Sequence, residues 1–452
     1  MIKSEIYIRS IKSLISHIKM CENIVVLGGK TSTVIPYQIP KPFSSRTKMM
    51  NLSQMPKELS LDSYGNLLIR GPVDWREARV YCESNGREIL TAPTEDTAHI
   101  LSGLATSATG ERCFGFGTLR DQVTSLKYLN FEGELKSLVA NEKFKVPERF
   151  KSALFNYQKH YEAYKKFKNA PFPRFQKQTD LMIGTEGQLG VITEAVIETK
   201  KKAPTSFFFM LLPKWEDDYS AHLEIFKKVQ SHRGQIYSCE LIDSNSLSVL
   251  PKEENPGNGS QDLIFIEFET TKSDYIFENF VSSLTQLSLE NIFEIGAAKC
   301  HELRMKVPRL TFEKNSLMGV VKKGTDVQVH PAEFKKLLDI YRKMGQVGVD
   351  YNLFGHFGDA HLHFNFLPAK DQTHLCDKAL EKLYNQTKDL NGSPFAEHGI
   401  GLIKKKFIQQ FYGNSQHCLF KALKSIHDPE NKFFPEGFMS ISDELSQTEV
   451  FS

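Results

Sequence analysis

Three imidazoles and a carboxylate fall within the run Gly355-His356-Phe357-Gly358-Asp359-Ala360-His361-Leu362-His363. From His361 onward the residues alternate, with His361, His363 and Asn365 on one side and Leu362, Phe364 and Phe366 on the other, the pattern of a half-buried strand. The intervening Phe357-Gly358-Asp359-Ala360 reads as a hairpin turn that brings His363 back beside His356, and two imidazoles at facing positions of a hairpin suit one metal ion. A carboxylate added to them makes a His, His, carboxylate set with open positions, as in catalytic sites for zinc, manganese or iron. Ala396-Glu397-His398-Gly399-Ile400-Gly401 supplies that carboxylate together with a further imidazole. His361 taken alone reads as a surface histidine and a bystander, with a fourth ligand or a pH-sensitive neighbour as the alternatives.

Such residues need strands and loops to position them. Strand signals lie at Asn23 to Leu27 and Asn66 to Arg70 and a helix at Trp75 to Asn85, an alternation typical of an α/β or α+β domain; residues 131–178 read as an irregular insertion with one helix near Pro147 to Phe167. Lys200-Lys201-Lys202-Ala203-Pro204 reads as a solvated turn and the best boundary, which sets domains at residues 1–200 and 205–452. Beyond it the spacing predicts a strand at Ser206 to Leu212, a helix at Asp217 to Arg233, a strand at Asp262 to Glu269 and a helix at Phe277 to Leu289. Strands at Tyr351 to His356 and His361 to Phe366 follow, then a helix at Gln372 to Leu390. The fold class expected is α+β on antiparallel strands, with no repeat and no low-complexity tract.

Three glycine-rich segments stand in the first half. The first, Gly28-Gly29-Lys30-Thr31-Ser32, follows an apolar strand and can cradle phosphates through backbone N–H groups. It is no Walker A loop, because Ile24 stands where that motif wants glycine, and no G-x-G-x-x-G follows a strand elsewhere. The second runs from Gly103 to Gly117 and the third from Asp180 to Glu194. Each alone reads as structural; three in one domain exceed the usual need for turns.

The chain has 452 residues, 57 basic against 54 acidic, and a net charge of +3, so nothing suggests an electrostatic footprint for nucleic acid. No apolar stretch approaches the roughly 20 residues of a membrane helix, and the N-terminus lacks the apolar core of an export signal. The seven cysteines are scattered and none is paired at zinc or iron–sulfur spacing, so a cytoplasmic setting, peripheral to a membrane at most, is expected.

The order of the three glycine segments resembles the PCMH-type FAD-binding domain of the vanillyl-alcohol oxidase and p-cresol methylhydroxylase superfamily, in the branch of glycolate oxidase flavoprotein subunits, D-lactate dehydrogenases and D-2-hydroxyglutarate dehydrogenases. Gly184-Thr185-Glu186-Gly187-Gln188-Leu189-Gly190-Val191-Ile192-Thr193 is similar to that branch's S-E-G-T-L-G-I-I-T signature, and the hairpin and Glu397-His398 are similar to its G-H-x-G-D-x-x-L-H and E-H-G-I-G motifs. The resemblance implies that Gly28, Gly29, Lys30, Thr31 and Ser32 wrap the pyrophosphate of a non-covalent FAD. It implies that Ser102, Gly103, Thr106 and Gly110 line the flavin, and that Glu186, Gly187, Gly190 and Ile192 meet the adenosine side. It implies His356, His363 and Glu397 as ligands of a divalent metal, and His398 as the base. Arg304 in Leu303-Arg304-Met305-Lys306-Val307-Pro308 and Lys323 in Lys322-Lys323-Gly324-Thr325-Asp326 match R-x-x-V-P and K-x-D segments that hold substrate; a solvated helical face is read for Lys404-Lys405-Lys406. The chain departs from the pattern at Leu101-Ser102, where Gly-Gly is usual, and at Ala360 and His361, where Gly and Asn are usual.

The implied activity is FAD-dependent oxidation of a small 2-hydroxy acid, with a separate electron-transfer protein or iron–sulfur subunit and a second copy of the chain, in a homodimer, as expected partners. The rival readings are a redox-neutral flavin transferase resembling alkylglycerone-phosphate synthases, a metal hydrolase, and a flavin-binding subunit without turnover.

Overall fold

The computed structural model describes residues 5–35, 43–91, 93–164, 167–168 and 173–440. The β-branched run of Asn23–Leu27 pairs in parallel with Thr47–Asn51, which also takes Ile6–Tyr7, giving a small three-stranded sheet. A five-stranded antiparallel sheet follows in the order Glu58–Leu61, Leu67–Arg70, Val191–Ile197, Val123–Leu129, Leu135–Val139. The Trp75–Ser84 helix starts at a capping box of Asp74 and Glu77 and buries Trp75, Ala78 and Cys82. Within the insertion, the Lys151–Tyr161 helix lies against the late Asn414–His427 helix, with the Tyr157 and Phe420 rings edge to face at 5.8 Å.

From Thr205 on, the strands join one antiparallel sheet in the order Ile292–Gly296, Thr205–Pro213, Gln261–Glu269, Ile236–Ile242, Tyr351–His356, His361–Phe366, Lys323–Gly324, and Val327–Gln328 also pairs with His361–Phe366. One face of this sheet is covered by Ser220–Ser231 and Phe334–Gly345, packed through Phe226 and Phe334 at 4.3 Å. The other face carries Phe207, Phe209, Phe265 and Ile242 against the 22-residue helix Ala297–Met318, which ends on Gly319 in the left-handed conformation (φ 65°). Pro308 inside that helix has no N–H to return to the Arg304 carbonyl one turn earlier, which loosens the helix where it meets the site.

The sheets divide between Lys201 and Thr205, but the cores do not. Phe395, Ile400, Tyr412, Phe420, Leu423 and Met439 pack into the core of the first half, and Phe433 bridges to Ile24.

Four expectations need correction. The Lys200-Lys201-Lys202 segment is solvated at Lys201 and Lys202 but begins as a strand: Thr199–Lys201 pairs with Arg87–Ile89, and Lys200 lies over the Tyr237 ring at 4.0 Å and 3.2 Å from Glu88. The helix expected over Phe277 to Leu289 ends at Asn279, after which Val281–Ser283 forms a 3₁₀ turn. His361 to Phe366 is buried on both faces, because the polar face looks into the protein and not into solvent. Lys404 is buried, bonded to the Asp326 carboxylate and the Pro394 carbonyl, and Lys405 donates to the Glu436 carbonyl at 2.8 Å.

Candidate active site

The hairpin turns through a 3₁₀ segment at Phe357–Asp359 and Ala360 at φ 52°, the left-handed region that glycine occupies without strain. This turn sets a register different from the one expected: His356 faces His361, and His363 faces Phe354. His356 and His363 still meet, on the diagonal, and both aim Nε2 at Glu397 Oε2, at 3.1 and 3.5 Å. Their other nitrogens are anchored, His356 Nδ1 against Glu240 Oε1 at 2.9 Å and His363 Nδ1 against the Thr325 carbonyl at 3.2 Å. A carbonyl only accepts, so Nδ1 of His363 donates to it, which leaves Nε2 as the ring atom turned to Glu397 and to a metal ion. Among the described residues, ligand atoms of His356, His361, His363 and Glu397 lie within 4.8 Å of one another. This donor set fits a divalent ion.

Electrostatics agree with the geometry. Burial opposes both charges, yet the neighbouring imidazoles hold the Glu397 carboxylate well below its usual range, and Glu240 and Glu397 raise His356 to about 9. His398, whose ring stacks on His363 at 5.2 Å, is pushed down to about 4 by burial despite the nearby Asp326, and is therefore neutral and able to accept a proton. Asp326 fixes the loop: its two oxygens accept from the backbone N–H groups of Glu397 and His398, each at 3.0 Å, and Lys404 compensates its charge.

His361 is no surface residue. It is fully buried, with Nε2 3.1 Å from Asp326 Oδ1 and Nδ1 3.2 Å from Nζ of Lys168. Glu240, Asp326 and Lys168 were not singled out by the sequence. The signal for Asp326 lay in the K-x-D segment; Glu240 sits in a strand with no motif, and Lys168 in the irregular insertion.

A cavity of about 750 Å³, within the common size range of ligand sites, runs from this cluster to the glycine segments. It is lined by Gly28, Gly29, Lys30, Thr31, Ser32, Ser102, Gly103, Thr106, Glu186, Gly187, Gly190 and Ile192, and by His356, His363, Glu397, His398 and Arg304. Backbone bonds draw the segments together: Gly184 and Glu186 N–H donate to the carbonyls of Leu104 and Ala105, and Leu402 N–H donates to that of Val34. Gly187, at φ 72°, has no atom closer than 3.9 Å to where a Cβ would stand, so its backbone lies open to the cavity. A long cradle edged with bare backbone fits a dinucleotide.

Several side chains are turned away from that role. Gly110 is not on the cavity wall, because the chain turns there into Cys113–Phe116 and the Gly110 carbonyl accepts from Cys113 N–H. Lys30 Nζ pairs with Glu5 at 2.8 Å. Ser102 Oγ occupies the space a Cβ on Gly28 would need, 2.0 Å away. The Glu186 carboxylate accepts from Ile400 and Gly401 N–H at 2.6 and 2.9 Å, and so holds the Glu397-His398 loop. Lys323 bonds Asp377 outside the cavity, whereas its neighbour Lys322, just ahead of the Lys323–Gly324 strand, lines the cavity. Arg304 reaches the cavity with its guanidinium against Glu111.

Fold and site together join a glycine-lined cradle to an antiparallel sheet that carries a histidine and carboxylate cluster. Residues 216–436 match the family described as FAD linked oxidases, C-terminal domain. The chain is 22% identical over 469 aligned residues, 96% of its length, to a mitochondrial D-lactate dehydrogenase [cytochrome] of Kluyveromyces lactis, and 23% identical over 86% of its length to a mitochondrial D-2-hydroxyglutarate dehydrogenase of Arabidopsis thaliana. The matched stretches are 73% and 66% of those proteins, and 52% of a D-lactate dehydrogenase-like sequence of Schizosaccharomyces pombe, so the chain spans between half and three quarters of these relatives. A solved alkyldihydroxyacetonephosphate synthase shares the fold over 94% of this chain and 74% of its own, at TM-score 0.66 and 15% identity. Among the described residues no helix is long and apolar enough to cross a membrane.

Proposed function

We propose that this chain is an FAD-dependent dehydrogenase of D-2-hydroxy acids that works with a divalent metal ion. The observation that carries the reading is the convergence of His356 Nε2 and His363 Nε2 on Glu397, with His398 alongside, in the cavity that the glycine segments line. When bound, the ion lowers the pKa of the substrate hydroxyl and orients C2, and the flavin takes the hydride.

The protein's own groups do the rest. Neutral His398 accepts the hydroxyl proton at a ring nitrogen, and burial keeps it free of a competing proton at neutral pH. Asp326 holds the His398 backbone so that the ring cannot drift from His363. Lys322 places a cation on the cavity wall for the substrate carboxylate, in the role expected of Lys323, while Arg304 on the same wall is held against Glu111. Gly187, with open space where a Cβ would stand, lets backbone approach the cofactor, and Gly28, Gly29 and Gly190 line the same cradle. Electrons leave to a separate electron-transfer protein, and residues 1–200 and 205–452 act as the cofactor and substrate parts.

Anaerobic mixing of the flavin-loaded protein with D-2-hydroxy acids tests this. Bleaching of the flavin is expected, and a His398→Ala variant should retain metal and flavin while bleaching about 10²–10⁴ times more slowly. A flavin that no hydroxy acid bleaches removes the reading and favours the redox-neutral chemistry named for the synthase.

A further inference from the structure

The cavity wall between the metal-type cluster and the Ala297–Met318 helix is mainly apolar. Glu240 neighbours His356 and pairs with Phe265 across the next strand, while Ile242 pairs with Phe354 two residues along, so Phe265, Ile242 and Phe354 continue the wall away from the cluster. The helix adds Met305, Val307 and Phe312. Three cations reach this part of the wall, and they differ in availability. Arg309 is exposed, 3.9 Å from Glu313. Lys322 faces the cavity with no ion-pair partner among the described residues. Arg304 is buried with its guanidinium against the carboxylate of Glu111, and Glu240 and Glu267 add negative charge around it.

We propose that the substrate is a 2-hydroxy monocarboxylic acid with an apolar side chain, and that Glu111 is the specificity residue that excludes a second carboxylate. The proposal rests on the hydroxy-acid oxidation proposed above. The single carboxylate of such a substrate is served by the cluster and Lys322, and its side chain lies on Ile242, Phe265 and Phe354. A 2-hydroxy dicarboxylate brings a second anion to a wall where the buried guanidinium is already matched. That anion is desolvated against apolar side chains and repelled by Glu111 and Glu240. Glu111 follows Gly110 in the second glycine segment and, from behind the cavity wall, neutralises the cation that Arg304 brings to it.

The test compares D-2-hydroxyisocaproate, D-lactate and D-2-hydroxyglutarate on the flavin-loaded full chain, by flavin bleaching and by calorimetric binding. The expected order is the one just given, with D-2-hydroxyisocaproate ahead of D-2-hydroxyglutarate by about 100-fold or more in bleaching efficiency. In Glu111→Gln the gap should narrow by about tenfold or more, through tighter binding of the dicarboxylate with little change in the limiting bleaching rate for the monocarboxylate. D-2-hydroxyglutarate ahead in the unmodified protein, D-lactate ahead of D-2-hydroxyisocaproate, or an unchanged gap in Glu111→Gln overturns the proposal. If Glu111→Gln fails to fold, the order in the unmodified protein decides alone. If no acid bleaches the flavin, the oxidation reading fails, and the calorimetric ratio still decides the selectivity.

Discussion

The hairpin cluster and the glycine-lined cradle solve two different problems in one cavity. At the hairpin each side chain is committed on two sides: His356 lies between Glu240 and Glu397, and His363 between Thr325 and Glu397. In the cradle the charged side chains are committed elsewhere, Lys30 to Glu5 and Glu186 to the Ile400 and Gly401 backbone, and glycines and small residues make the wall. Bond-making chemistry needs side-chain atoms at fixed positions, whereas holding a dinucleotide needs N–H groups and space. Side-chain changes should therefore damage the first region far more than the second.

The largest effect is expected at Glu397, which both imidazoles address. Glu397→Gln should lose the metal from the purified protein and slow flavin bleaching by about 10³-fold or more, with FAD content unchanged. Metal retained at full stoichiometry would break the contrast between the regions. Glu240→Gln is milder, since Glu240 orients His356 without being a ligand: metal affinity should fall about 10–100-fold, measured by chelator competition, with FAD again unaffected.

On the cradle side the sharpest change is Gly28→Ala. The new Cβ would overlap Ser102 Oγ, a light hydroxymethyl group that can turn aside, so FAD affinity should fall about tenfold and metal content stay constant. Adding Ser102→Gly should recover most of the loss. No recovery would mean that the overlap with Ser102 is not what weakens binding.

How much of this could be read from the sequence follows the same contrast. The pairing of His356, His363 and Glu397 was legible, since motif order and strand alternation both mark it. The register was not, because a 3₁₀ turn with Ala360 in the left-handed region shifts the facing partner of His356 from His363 to His361. His361 looked like a surface residue for the same reason: alternation tells which residues share a face, not whether that face meets solvent. Glu240, Lys168 and Glu111 escaped notice because what matters about them is a contact over more than 100 residues of chain, of which a local pattern carries no trace. Lys404 misled because three consecutive lysines suggest a solvated face, and the demand of buried Asp326 for a counter-charge is visible only in three dimensions. The return of residues 395–440 to the first core was hidden likewise, since strand spacing marks sheets and not which core a late helix joins.

Glu186 stands where the two regions touch, and its effect is the smallest and the most diagnostic. Burial lifts its carboxyl from 4.5 to about 7, against the backbone N–H groups of Ile400 and Gly401 that favour the charged form. The native state therefore keeps a proton that the unfolded chain has released, so the stabilisation from this proton is complete below pH 4.5 and is lost as pH rises to about 7. Over that window the stability of the unmodified protein should fall relative to Glu186→Gln by on the order of 3 kcal/mol, read from urea midpoints. Parallel pH curves for the two proteins would mean that the N–H groups of the Glu397-His398 loop outweigh burial, and that the cradle holds the cluster through a full charge. A converging pair would mean that it holds it through a neutral, proton-sharing carboxyl.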